Sequence, residues 1–268
     1  EKMALNRSRI LRWLDLRFRT GFSEWLSNVY YDEDLAALLS LVDFCRDAEI
    51  AARAAMVLDL LLLDLALNSF RGVFGSTHGR SYENSKKWAS NEGTTDTAKL
   101  IFGMGQYSGF DNMSAVAFAL SSAYRVPPAI AAIARDTSQP SMENRQRMGI
   151  RLAEAERWGL GFDSCEDGMV YLTLEAYLHP RTVNLVMRMF DAFGWWDNAF
   201  FAPFKPYRRL LALLRRTRTL PLLARLFEWD LCRNTREEVN ILTYRTPDVM
   251  LSCAQDYRPG YGGDQQSI

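Results

Sequence analysis

The most constraining feature of the sequence is a nearly continuous apolar stretch between Glu49 and Asn68. Apolar side chains occupy almost every face of the helix that this stretch would form, and only Asp59 and Asp64 interrupt its second half. A helix without a polar face has to be buried on most sides, so we predict that it lies at the centre of the fold. The run is too short to span a bilayer.

Helical periodicity extends from about Arg9 to about Trp229. A second helix is predicted after Tyr31, where the acidic residues 32–34 cap the positive end of the helix dipole. Further helices are predicted at residues 97–105, 115–124, 128–134, 142–158, 170–177, 182–193, 207–217 and 220–229. A long polar, glycine-rich loop from Ser69 to about Asn91 separates the two groups, and loops of this length are commonly functional.

From Val239 onward the pattern changes to two short strands, Val239–Tyr244 and Val249–Cys253. We therefore predict a chain of the all-α class, an incomplete (α/α) toroid of antiparallel helix pairs over residues 1–236. The first strands of a truncated C-terminal β-sandwich domain would follow over residues 237–268. Periodicity alone supports an ordinary helical array equally well.

Composition excludes two broad classes of protein. Hydrophobic residues make up 48% of the 268 residues, which is too many for a disordered chain. The 32 basic residues are balanced by 32 acidic ones, which argues against a nucleic-acid binder. The four cysteines are far apart in sequence and are expected to be buried apolar residues. We see no signal peptide and expect both ends to be cut from a longer polypeptide, so the compartment is not fixed.

The long loop contains the first group of candidate functional residues. His78, Arg80 and Tyr82 place an imidazole, a guanidinium and a phenol within five residues, between glycines. An imidazole near its ordinary pKa exchanges a proton at neutral pH, although a loop histidine also commonly bonds a backbone carbonyl. The aromatic and basic residues Arg71 and Trp88 of the same loop are candidate substrate-binding residues.

A second candidate group lies between the first two helices, where Glu24, Trp25, Asn28, Tyr30 and Tyr31 occur together. Aromatic side chains in such a segment are either core anchors or stacking surfaces for sugar rings. In a carbohydrate site an amide or an arginine holds the carboxylate of an acidic sugar.

Other kinds of chemistry have weaker support in the sequence. Glu24 and Asp32 are the carboxylates that an inverting glycoside hydrolase on a helical toroid would use. His179 is expected to be structural. No phosphate-binding loop, zinc-protease motif or serine-hydrolase motif is present, so we predict no cofactor and leave a divalent cation open.

With these residues in view, the chain resembles the helical part of the polysaccharide lyase superfamily that joins an α/α toroid to a β-sandwich. This superfamily includes the chondroitin/hyaluronan, alginate and heparinase II/III lyases, and the resemblance is to its bacterial members. The motif resemblance rests on residues 23–31 and 76–82. It implies an acidic polysaccharide as substrate, a periplasmic or secreted location, and neither nucleic acid nor membrane insertion.

The resemblance also implies a mechanism, β-elimination at a uronic acid. Asn28 with Arg80 would neutralise the sugar carboxylate, and His78 or Tyr82 would remove the proton from C5. A tyrosine would then return a proton to the departing O4 oxygen. Tyr82 follows its histidine more closely than in the chondroitin and hyaluronan lyases, so Tyr30 is the substitute candidate.

In those families an arginine completes the site. Here the resemblance implies that Arg145 or Arg147 has this role, or that Arg80 replaces it. The mechanism requires Asn28 and His78 to face a common groove. Two alternatives remain beside the lyase, a glycan-binding toroid without turnover and the glycoside hydrolase described above.

Overall fold

The computed structural model describes residues 2–108, 113–255 and 257. Within those residues the protein is mostly helical, with one three-stranded antiparallel sheet. The chain divides into two compact units, one containing the described residues up to Met148 and from Val239 to Tyr257, the other formed by Gly149–Glu238. The predicted helical class is confirmed, and the toroid stays a prediction.

The first unit contains helices α1 to α7 and the sheet. The helices are α1 (Lys2–Thr20), α2 (Tyr31–Phe44), α3 (Ala48–Leu67), α4 (Glu83–Lys87), α5 (Thr95–Phe102), α6 (Met113–Leu120) and α7 (Pro128–Arg135). A short 3₁₀ segment, Ala89–Asn91, follows α4.

Helix α3 is the centre of the first unit, as predicted. Asp47 caps its start, because the Asp47 carboxylate accepts hydrogen bonds from the amides of Glu49 and Ile50. The side chains of Leu58 and Leu62 are completely buried, and α3 packs against α1, α2 and α7. The buried residues of α3 recur at three- and four-residue spacing along one face, whereas Ala52 and Met56 are exposed, so the expected burial on most sides holds only for that face.

The sheet joins the middle of the chain to its C-terminal part. Its strands are β1 (Met142–Met148), β2 (Val239–Arg245) and β3 (Met250–Gln255) in the order β1-β2-β3. Met142 lies opposite Arg245 and Met148 opposite Val239, while Arg245 also lies opposite Met250. The two predicted C-terminal strands are confirmed.

The predicted helix over residues 142–158 is wrong. Strand β1 covers its first part, and a 3₁₀ segment, Leu152–Trp158, covers its end. In β1 the half-buried side chains of Asn144 and Gln146 alternate with exposed charged ones, which is the two-residue period of a strand. The two central inward positions are amides and only the end positions, Met142 and Met148, are apolar, so hydrophobic periodicity does not reveal the strand.

The predicted helix after Tyr31 is confirmed, with residues 32–34 in the first turn of α2, and Asp32 has the further role of capping another helix. Helix α2 has no side-chain cap at its first turn. The Asp32 carboxylate instead accepts hydrogen bonds from the backbone amides of Met113 at 3.0 Å and Ser114 at 2.9 Å. These are the first residues of α6, so Asp32 ties the start of α2 to the start of α6.

The second unit contains five further helices around a separate core. They are α8 (Cys165–Thr173), α9 (Val183–Phe193), α10 (Arg208–Arg216), α11 (Leu220–Leu226) and α12 (Glu228–Leu231). Two 3₁₀ segments, Trp195–Asp197 and Ala202–Tyr207, lie between α9 and α10. Phe190, Trp196 and Leu220 are among the buried residues of its core. Among the described residues, no helix has the length and apolar character needed to cross a bilayer.

Candidate functional site

The two segments selected from the sequence pack against each other in the first unit. The Gly79 amide donates a hydrogen bond of 2.7 Å to the Trp25 carbonyl, and the Ser27 hydroxyl donates one of 3.2 Å to the Arg80 carbonyl. A Cβ atom at Gly79 would lie 2.6 Å from the Trp25 backbone nitrogen. Glycine therefore allows the loop to approach the first segment closely.

His78 lies buried between the two segments, with 6% of its surface exposed. Its Nδ1 contacts the Leu26 carbonyl, and the Phe74 carbonyl also bonds the ring. Burial lowers the pKa of His78 to about 4, because the charged imidazolium would lose its hydration. The ring is therefore neutral at physiological pH and links the segments, a placement that favours the structural role for this residue.

Asn28 is also buried, with 3% of its surface exposed. Its backbone carbonyl accepts a hydrogen bond of 2.9 Å from Gly93. Its side-chain Oδ1 is buried and has no hydrogen-bond partner among the residues that the structure describes. A buried amide oxygen without a donor is unfavourable, so Asn28 is a polar group available within this pair of segments.

Glu24 and Arg80 form an ion pair across the two segments. Arg80 Nε lies 2.7 Å from Glu24 Oε1, and Arg80 Nη2 contacts the same oxygen. The two side chains are 10% and 21% exposed, so this pair is shielded from most solvent. The Arg80 guanidinium also lies 5.9 Å from the centre of the Tyr30 ring, which orients it by a cation–π interaction.

Tyr30 and Tyr82 meet at the surface of this cluster. Their hydroxyl oxygens lie 2.8 Å apart, and their rings make an edge-to-face contact at 6.4 Å. The hydrogen bond with Tyr82, together with burial, raises the pKa of Tyr30 to about 12. Tyr82 is 38% exposed, so a hydrogen-bonded pair of phenols is accessible beside an arginine. We call Glu24, Tyr30, Arg80 and Tyr82 the surface cluster.

Two predicted substrate-binding residues are core anchors. Trp25 and Tyr31 have no exposed surface. The Trp25 ring packs against Tyr257 with ring centres 4.6 Å apart, and the Tyr31 hydroxyl donates a hydrogen bond of 3.3 Å to Asp64. Their side chains therefore do not face a polysaccharide in this structure.

The remaining predicted residues have other surroundings. Trp88 is 62% exposed, directly after α4. Arg71 donates a hydrogen bond of 2.8 Å to the Pro247 carbonyl and lines a cavity of about 240 Å³. Arg145 pairs with Glu143 on the exposed face of β1, and Arg147 lines a different groove. The hydrogen bond of Arg71 and the ion pair of Arg145 thus lie outside the surface cluster, and Arg147 lines a groove that no residue of the cluster borders.

Sequence reasoning missed a buried polar network centred on Asp64. The Asp64 carboxylate accepts hydrogen bonds from Tyr31 and Gln146, and Asn68 donates one of 2.7 Å to Gln146. Burial raises the pKa of Asp64 to about 7. The available signal was a carboxylate within an otherwise apolar helix, because such a group has to be bonded or neutral.

Protein-family models, curated proteins and solved structures were each compared with the chain, and none of them matches it. In the described part of the chain, no group of three or more His, Cys, Asp or Glu side chains is placed to hold a metal ion.

Proposed function

We propose that this protein cleaves a uronic-acid-containing polysaccharide by β-elimination, with Tyr82 as the proton-transfer residue and Tyr30 as its hydrogen-bond partner. The observation that carries the proposal is the 2.8 Å hydrogen bond between their hydroxyls on an accessible surface. The neighbouring Arg80 is the proposed cation for the sugar carboxylate, which would share the guanidinium with Glu24. The resemblance of residues 23–31 and 76–82 to the lyases supports the same reaction.

The two phenols take different roles in this reaction. Tyr30 keeps its proton, because its pKa is raised to about 12. Either hydroxyl could donate the hydrogen bond between the two phenols, and in this proposal Tyr30 is the donor. The Tyr82 oxygen is the proposed acceptor of the proton from C5 of the uronate. The C4–O bond breaks as the C4–C5 double bond forms, and Tyr82 returns the proton to the departing oxygen.

The carboxylate of the uronate has to be neutralised while C5 loses its proton. Arg80 is the proposed partner, and its ion pair with Glu24 fixes the orientation of the guanidinium. Asn28 stays a candidate for the same role through its buried amide. His78 takes no proton-transfer role in this proposal, because its ring is buried and bonded to backbone carbonyls.

The finer architecture and the setting belong to the same proposal. The helices would form an incomplete α/α toroid, and the C-terminal strands would lead into a β-sandwich. The partner would be an acidic polysaccharide, acted on without a cofactor, in the periplasm or outside the cell.

Unsaturated product is the direct test of this function. The full chain is incubated with alginate, glucuronan, hyaluronan and heparan sulfate, and the absorbance of the unsaturated uronate near the ultraviolet edge is followed. Tyr82→Phe keeps the ring but removes the hydroxyl, so we expect the rate to fall by about 100- to 10,000-fold. Tyr244→Phe is the matched control, because Tyr244 on β2 is 41% exposed. Absence of product with every polymer, or an unchanged rate in Tyr82→Phe, would refute the proposal.

A second candidate function is glycan binding without turnover. Two observations favour it over catalysis. The Glu24–Arg80 ion pair already balances the charge of the arginine, and His78 is buried and so is not placed to transfer a proton to a substrate. Retention of a polysaccharide in affinity electrophoresis, with no product of any kind, would support it. The glycoside hydrolase has less support, because the Asp32 carboxylate is occupied at the start of α6.

A further inference from the structure

A second site lies in the first unit, in a groove of about 220 Å³. It is bordered by the end of α1, by α3 and by β1. Its walls combine apolar and charged side chains, chief among them Arg17, Phe22, Leu61, Asp64, Arg147 and Met148. None of the residues of the surface cluster is among those that line this groove.

Arg17 is the unusual member of this set. Only 4% of its surface is exposed, and burial lowers its pKa to about 10, so the guanidinium still carries its charge at neutral pH. Its Nε is buried without a hydrogen-bond partner, and no ion pair or hydrogen bond in the described part of the chain involves its guanidinium. The Phe22 ring lies 5.6 Å from its guanidinium, and Asp34 attracts its charge without forming an ion pair with it.

The position of Arg17 in α1 does not account for this arrangement. A cation near a helix C-terminus is favoured by the helix dipole. Arg19 lies in the same last turn and is exposed, where it pairs with Asp15 at 2.8 Å. The dipole therefore does not require a second arginine to be buried, and it supplies no acceptors for the five N–H groups of Arg17. A buried, charged group without acceptors indicates a ligand that provides them.

We propose that this groove binds a small organic acid, with its carboxylate on Arg17 and its apolar body against Phe22, Leu61 and Met148. A carboxylate matches the planar fork of a guanidinium with two parallel hydrogen bonds. Asp64 lines the same groove and is held by Tyr31 and Gln146, so its carboxylate disfavours a doubly charged phosphate more than a singly charged acid. A monoanion with an apolar body fits both the charge and the walls.

Benzoate is the probe, because it joins one carboxylate to one apolar ring. We expect benzoate to bind the full chain in isothermal titration calorimetry, and its neutral analogue benzamide and inorganic phosphate to bind at least about tenfold more weakly. Arg17→Gln should weaken benzoate binding by at least about tenfold. Arg12→Gln is the matched control, because Arg12 is exposed on the same helix, and it should bind benzoate as the unaltered protein does.

A measurement on the unaltered protein keeps the test valid if Arg17→Gln does not fold. In the benzoate complex, nuclear Overhauser effects should join the benzoate ring protons to the Met148 methyl group and to the Phe22 ring. Failure of benzoate to bind, equal binding of benzamide or phosphate, or contacts from another part of the chain would overturn the proposal. This site is separate from the surface cluster, so a failed lyase assay leaves it standing.

Discussion

At the scale of single residues, burial decides the charge of groups that lie close together. The Phe74 ring contacts the His78 ring, and the Phe74 amide donates a hydrogen bond of 3.2 Å to Glu92. Burial lowers the pKa of His78 to about 4 and raises that of Glu92 to about 8. Each group is mostly uncharged at neutral pH, because in each case the charged form would lose its hydration. The loop is thus fixed without a buried charge at these positions.

Glu92 should make the stability of the protein depend on pH. A carboxyl whose pKa is raised from 4.5 to about 8 on folding binds its proton more tightly in the folded state. Its contribution is present below about pH 4.5 and is lost as the pH rises to about 8. Glu92→Gln keeps an oxygen for the Phe74 amide and removes this titration. We expect the free energy of unfolding of the unaltered protein to fall, relative to the variant, by up to about 1.4 kcal/mol per pH unit.

Urea denaturation at a series of pH values measures this difference. Glu83→Gln is the control, because Glu83 is exposed on α4 and should leave the pH profile unchanged. If the profiles of Glu92→Gln and the unaltered protein ran parallel between about pH 5 and pH 8, Glu92 would not be the titrating group.

Residue types were sufficient to select two segments that meet, but not to tell which side chains face solvent. Tyr30 and Tyr31 are neighbours in the sequence, yet Tyr30 is partly exposed and Tyr31 is fully buried. The difference arises because α2 begins between them, so that Tyr31 points into the core beside Phe22 and Phe74. A shift of the helix start by one residue would change which of the two tyrosines is buried, and sequence patterns do not locate helix ends that closely.

At the scale of elements, the helices and strands with an apolar inward face were predictable. Strand β2 alternates buried and exposed positions, and its inward residues Val239 and Ile241 are apolar. Strand β1 was not predictable, because Gln146 faces inward to bond Asp64 and Asn68. The inward amide of β1 thus forms its hydrogen bond with a residue of α3 that is far away in the sequence. Periodicity of apolar residues cannot show such a pairing.

The cap that Asp32 provides for α6 predicts a specific loss of stability. Asp32→Ala removes the acceptor of two backbone amides at the start of α6, so we expect a loss of about 1–2 kcal/mol in the free energy of unfolding. Glu33→Ala is the control, because Glu33 lies in the same first turn of α2 and is exposed. This variant removes a charge that interacts with the dipole of α2, and it keeps the Asp32 cap of α6. Equal losses in both variants, measured by urea denaturation, would show that the cap of α6 is not the cause.

At the scale of the whole molecule, the first unit is assembled from two separate parts of the chain. Strand β1 ends the first part, and β2 and β3 come from the part that follows Glu238. The pairing of Met148 with Val239 therefore closes a connection formed by Gly149–Glu238 of the second unit. Local patterns predict elements, but they carry no information on a pairing over this separation, whose closure costs chain entropy.

Ile241 tests whether the C-terminal strands stabilise the central helix of this unit. It is 2% exposed and belongs to the same apolar core as Leu58 and Leu61 of α3. Ile241→Ala leaves a cavity in that core, and we expect a loss of about 2–5 kcal/mol in the free energy of unfolding. Asn240→Ala is the matched control on the exposed face of β2, with an expected change within about 0.5 kcal/mol.

Amide hydrogen exchange of α3 is the measurement that reads this coupling. If α3 opens only when the whole first unit unfolds, the protection of its amides should fall in Ile241→Ala by the same free energy that denaturation reports. The reason is that Ile241, although it follows α3 by more than a hundred residues, contributes to the core around that helix. Unchanged protection of the α3 amides, with a clear loss in the β2 amides, would instead mean that the sheet unfolds by itself and that α3 does not depend on it.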